Sequence, residues 1–144
     1  MPDGAGNTSQ ASPKQITTKS RGDDAEAAAL EHLLQRGMKL VETNYRTPGR
    51  GGGEIDMIMR ASDGTLVFVE VRQRSSTSHG GAAASIGAVK QRRIIFAARH
   101  YLMRFASLPP CRFDVVLVQG NLGEEGAERL AARIEWLQAA FDAS

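Results

Sequence analysis

Cys111 is the chain's only cysteine, which excludes an internal disulfide and any cysteine-rich zinc site and fits a reducing, cytoplasmic setting. Three histidines, His32, His79 and His100, are too scattered to match a metal-ligand spacing, and no Ser-His-Asp or Cys-His arrangement stands out. Long apolar runs are also missing. Stretches such as Leu66 to Val69 are far too short to span a bilayer, and the N-terminus lacks the apolar centre of a signal peptide, so no membrane partner is expected. Gly51-Gly52-Gly53 leads into Glu54 rather than Lys-Ser or Lys-Thr, which excludes a phosphate-binding P-loop and with it a nucleotidase.

One absence is of a single sign of charge. Between Glu70 and Asp114 there is no acidic residue, while Arg72, Arg74, Lys90, Arg92, Arg93, Arg99, Arg104 and Arg112 fall inside that window. Eight of the 18 Lys and Arg and none of the 16 acids lie there, so a net charge of +2 hides a window of +8 and a remainder of −6. A solvated helix face accounts for shorter runs of this kind. A stretch this long points to a polyanion, with Arg74, Lys90, Arg92, Arg93, Arg99 and Arg104 as candidate phosphate contacts.

What is present describes one globular domain: 144 residues, 42% hydrophobic and 24% charged. Residues 1–20 are polar and glycine-bearing and read as a disordered tail, leaving 21–144 as the domain. Asp23 and Asp24 suggest an acidic helix start, with Ala25, Ala28, Ala29, Leu33 and Leu34 at helical spacing until Gly37. Strands are expected over Met38 to Tyr45, Glu54 to Arg60, Thr65 to Gln73 and Cys111 to Gln119, the middle two forming a hairpin around Ser62-Asp63-Gly64. Loops are expected after Tyr45, flexible without a ligand, and over Arg74 to Gly81. A long amphipathic helix should follow, from about Ala84 to Phe105. Leu130, Ile134, Leu137 and Phe141 fit a helix, whereas Arg133 to Leu137 also alternates like an edge strand, so the C-terminus stays open between the two.

The chemistry-bearing residues are acidic. Gly53-Glu54-Ile55-Asp56 opens one apolar run and Val67-Phe68-Val69-Glu70-Val71-Arg72 occupies the next. In a strand, Glu70 and Arg72 share a face with Phe68 while Val67, Val69 and Val71 take the other, so Glu70 has largely apolar surroundings. A carboxylate there must be paired, hydrogen-bonded or bound to a metal. Ion pairing among Glu54, Asp56, Glu70 and Arg72 is the simplest account; the other is a hard-oxygen site for Mg²⁺.

Glu26 in the opening helix, Gly53-Glu54-Ile55-Asp56, Phe68-Val69-Glu70-Val71-Arg72, Gly80-Gly81 with Lys90 downstream, and Arg112-Phe113-Asp114-Val115-Val116 together resemble the bacterial YraN family, from about residue 16 to the end. That family is similar to Holliday-junction resolvases and the PD-(D/E)XK nucleases. The resemblance implies a restriction-endonuclease-like α/β fold, a central mixed sheet flanked by helices. It also implies a Mg²⁺- or Mn²⁺-dependent DNA endonuclease in which Asp56, Glu70 and Glu26 hold the metal and Arg72 joins them as the fourth catalytic residue. Ile55 replaces the usual proline, which is chemically harmless. Arg72 stands where lysine is usual, and arginine, always charged, stabilises developing negative charge but cannot act as a base. Lys90 is a candidate for that role. A nucleic-acid-binding module without catalysis and a protein-interaction adaptor remain as alternatives, and the sequence leaves monomer and homodimer both open.

Overall fold

The computed structural model describes residues 18–74, 86–119 and 133–143. They form two helices and five strands in the order α1 (Thr18–Gln35), β1 (Lys39–Arg46), β2 (Glu54–Arg60), β3 (Leu66–Arg74), α2 (Ala88–Leu102), β4 (Cys111–Gln119) and β5 (Arg133–Phe141). The strands make one sheet in sequence order. β1, β2 and β3 are antiparallel neighbours, β4 joins β3 in parallel, and β5 returns antiparallel to β4. A parallel neighbour needs a crossover, and α2 supplies it.

The two helices cover opposite faces. Beneath α2, Ile94, Ala97, Ala98 and Tyr101 pack on Ile58, Leu66, Phe68, Phe113, Val115 and Leu117. Beneath α1, Ala25, Ala29 and Leu33 pack on Met57, Met59, Val67, Val69, Val116 and Val118. The central strands are therefore apolar on both sides, as a sheet covered by helices requires. Phe68 is fully buried between Tyr101 and Phe113, with ring centroids 6.2 and 5.5 Å away. Truncating such a side chain to alanine costs about 3–5 kcal/mol.

Local chemistry explains several boundaries. The first helix starts at Thr18, ahead of Asp23 and Asp24, which lie inside it rather than at its start. It ends in a Schellman arrangement: Met38 N–H reaches Leu33 O and Gly37 N–H reaches Leu34 O, both at 3.1 Å, with Gly37 at φ +92. Leu33 and Met38 are both buried, completing the apolar contact of that motif. The second helix is shorter than its apolar spacing suggests. Gly87 caps its start, and beyond Leu102 the chain tightens into turns, Arg104 N–H to Tyr101 O and Phe105 N–H to Leu102 O. The open question at the C-terminus resolves to a strand, because the edge of β4 offers it a ladder from Gln119↔Arg133 to Phe113↔Phe141. The expected tail up to residue 17 and most of the loop over Arg74 to Gly81 lie outside the described residues.

The loop after β1 is braced where flexibility was expected. Gly53 N–H donates to Thr47 Oγ1 at 2.9 Å, Thr47 N–H to Gly53 O at 3.1 Å, and Arg93 Nε to Gly52 O at 3.3 Å. A Cβ on Gly53 would overlap the Arg93 carbonyl oxygen, so only glycine lets this loop approach α2 so closely.

Candidate functional site

The site forms where two strands part. β2 and β3 pair from Arg60↔Leu66 to Met57↔Val69 and no further. At the break Ile55 joins the core beneath α2 while Met57 joins that beneath α1, and Asp56 lies between them. Where the next ladder bond would fall, Val71 instead donates its N–H to Asp56 Oδ2 at 2.8 Å. The side chain thus replaces a main-chain carbonyl, which fixes the carboxylate on the strand that carries Glu70.

Glu70 follows Leu66 and Phe68 on the α2 side and is only 4% exposed. Lys90, in the first turn of α2, places Nζ 3.5 Å from Glu70 Oε2. The other oxygen, Oε1, is buried and accepts no hydrogen bond among the described residues. Such an atom costs about 1–3 kcal/mol, more when charged, and native proteins rarely leave one without a reason. Burial, followed by the adjacent Asp56 charge, pushes the Glu70 carboxyl up from 4.5 to about 8, against the pull of Lys90 and Arg72. Desolvation also raises Asp56, opposed by the Val71 N–H, by Glu70 and by Lys90. The two carboxyls are close enough for one, once protonated, to hydrogen-bond to the other. Two acids that resist being charged together make a site that welcomes either a proton or a cation.

The remaining acids have other surroundings. Glu54 pairs with Arg46 directly across the β1–β2 ladder, Nε to Oε1 3.4 Å, so ion pairing accounts for it. Glu26 lies on α1, at a shallow depression shared with Asp23, Leu30, Thr43, Asn44 and Met57. Among the described residues, no group of three or more His, Cys, Asp or Glu side chains is placed to hold a metal. Asp56 and Glu70 are therefore a pair of donors, and Glu26 is not gathered with them into a three-carboxylate set. A pair is still compatible with Mg²⁺, which keeps several waters and takes one or two protein carboxylates. The bare Glu70 Oε1 beside Asp56 is the hard-oxygen donor such an ion requires.

Many cations of the basic window already serve the fold. Lys90 faces Glu70, Arg93 braces Gly52, and Arg112 is held by Asp114. Arg104 lies over the Tyr101 ring, 3.8 Å from its centroid, and donates to Tyr101 O at 3.1 Å. Arg99 reaches Ala143 O at 3.4 Å. Arg72 is half-buried and acts electrostatically on Glu70. Arg74 ends β3, and its side chain lies outside what the structure describes. Arg92, Arg93, Arg99 and Arg104 remain exposed, so the helix still presents positive charge to solvent.

Sequence reasoning passed over Asp114, the most deeply buried acid among the described residues, at 0% exposure. It accepts from Arg112 Nε at 3.0 Å, Arg112 Nη2 at 3.2 Å, Trp136 Nε1 at 2.8 Å and Ala139 N at 2.9 Å. An acid set between Phe113 and Val115 in an otherwise apolar strand was the available signal.

A five-stranded mixed sheet between two helices is the arrangement of restriction-endonuclease-like folds. The sequence comparisons are consistent with that class. The model of the family described as "Uncharacterised protein family UPF0102" matches residues 25–118. A UPF0102 protein of Polaromonas naphthalenivorans is 76% identical over 132 residues, covering 92% of this chain and 85% of the relative. One from Polaromonas sp. strain JS666 is 69% identical over 99% of this chain and 92% of its own length. Another, from Albidiferax ferrireducens, is 64% identical over 88% of this chain and 91% of its own. The chain belongs to the UPF0102 family, the YraN-like group. No described helix is long and apolar enough to cross a membrane.

Proposed function

We propose that this protein is a Mg²⁺-dependent DNA endonuclease, with branched or distorted DNA as the first substrate to test. The observation that carries the reading is the buried Glu70 carboxylate, one oxygen of which has no donor among the described residues, set against Asp56. Asp56 and Glu70 would hold the ion, displacing the proton they otherwise retain. When bound, Mg²⁺ would supply Lewis-acid polarisation of the phosphoryl group and a more acidic water.

The chain's own residues do the rest. Asp56 is oriented by the Val71 N–H and does not need to reorganise. Lys90, a third exposed and facing Glu70, offers an ammonium that neutralises charge building on the phosphate. Arg72, permanently charged on the same strand face, holds a phosphate oxygen. Exposed arginines of α2 supply sequence-independent contacts to the backbone. Glu26, on α1, would act only through water.

The test is incubation of purified protein with supercoiled, single-stranded and four-way-branched DNA in Mg²⁺, Mn²⁺ or chelator. Cleavage that requires the metal and vanishes in Glu70→Gln supports the reading. The second reading, a DNA-binding module without turnover, is favoured by arginine at position 72. It prevails if neither the natural protein nor Arg72→Lys cuts any substrate while both bind DNA with a steep salt dependence.

A further inference from the structure

The outer face of α2 carries a feature that cleavage chemistry does not use. Phe96 is 53% exposed, although Tyr101 on the inner face of the same helix is 3% exposed. Arg92 and Arg99, four residues before and three after, share its side of the helix, and both are exposed. With Ile95 and Ala143 these three line a shallow depression of about 300 Å³. α2 carries no acidic residue, so nothing on the helix competes for the two guanidinium groups. Arg99 spends one donor on Ala143 O and keeps others.

We propose that Phe96, Arg92 and Arg99 form a stacking platform for an unpaired base of single-stranded or locally opened DNA. An exposed aromatic face accepts any base, and cations on either side suit the two flanking phosphates. The partner is set by charge complementarity: an apolar protein surface would leave two arginines desolvated without counter-charges. Helical rise puts Phe96 about 9 Å further along the axis than Lys90. The inference rests on the nucleic-acid reading above and adds to it a preference for unpaired strands.

Fluorescence anisotropy with a short oligothymidine and a mixed-sequence duplex tests it, alongside sedimentation velocity for mass. Phe96→Ala should weaken oligothymidine binding about tenfold and leave the duplex within about twofold. Phe96→Trp should restore affinity and show fluorescence quenching on binding. Arg92→Gln and Arg99→Gln should each lower the salt slope by about one on both ligands. Unchanged oligothymidine affinity in Phe96→Ala overturns the platform while duplex binding by the natural protein leaves the nucleic-acid reading standing. Equal loss on both ligands also overturns it, and if mass falls as well the face belongs to a second copy of the chain. A natural protein that binds neither ligand takes down both proposals.

Discussion

Asp114 and Glu70 are two buried carboxylates on adjacent parallel strands, and they have been treated in opposite ways. Asp114 receives donors from a guanidinium of its own strand and from an indole and a main-chain amide that tie β5 to the edge of β4. Glu70 has one ammonium at 3.5 Å and, among the described residues, no donor to its other oxygen. Burial is similar, 0% against 4%, so it is not burial that separates the two acids. What separates them is whether the donors that offset desolvation are present in the fold or must come from outside.

The largest effect expected from breaking this contrast is on chemistry. Glu70→Gln and Asp56→Asn should each reduce metal-dependent cleavage to background while the fold persists, since each substitution keeps the side chain's shape and removes a buried ionisable group. Affinity for DNA in chelator should equal or exceed that of the natural protein, because the pair can then carry at most one negative charge. A variant that still cuts at the natural rate would remove the carboxylate from the mechanism.

Asp114→Ala should act on stability instead. It strands Arg112 and the Trp136 indole N–H, and removal of one partner of a buried pair costs about 3–5 kcal/mol. Urea denaturation would measure the loss; a shift below about 1 kcal/mol would mean that water replaces the network.

A smaller, graded effect should appear with pH in chelator. The unfolded Glu70 carboxyl loses its proton near 4.5, the folded one near 8, so the folded state binds more protons in between. Stability from this group is therefore fully present below 4.5 and falls as pH rises toward 8. Glu70→Gln should flatten that slope, and so should added Mg²⁺. A slope of the opposite sign, rising from pH 5 to 8 and insensitive to Glu70→Gln, would show that Glu70 is charged in the folded protein.

The smallest effect is expected at Glu26. It sits on α1 with Thr43, Asn44 and Met57, outside the carboxylate pair. Glu26→Gln should lower cleavage by less than either Asp56→Asn or Glu70→Gln. Loss as complete as theirs would place it among the metal ligands, and would require α1 to bring it closer.

Much of this molecule was legible along the chain. Apolar runs bounded by turn residues marked β2 and β4 to the residue, and alternation put Glu70 on the face of Phe68, because a strand's side-chain direction is a local property. The acid-free window and the paired carboxylates were likewise visible as composition and spacing. Contacts between distant segments were not. Whether 133–141 became a strand depended on an open edge of β4, since its pattern served helix and strand equally. The bracing of the glycine loop depended on Arg93 of α2, and two of the donors to Asp114, Trp136 Nε1 and Ala139 N, come from β5. Asp56 stands beside Glu70 because β2 and β3 part beyond the Met57–Val69 pair, and Lys90 reaches Glu70 Oε2 only because α2 crosses over that face. Sequence determines which way a side chain points within its own element. The field it meets there, and so its proton affinity, is set by groups that only the packed fold brings within a few ångströms.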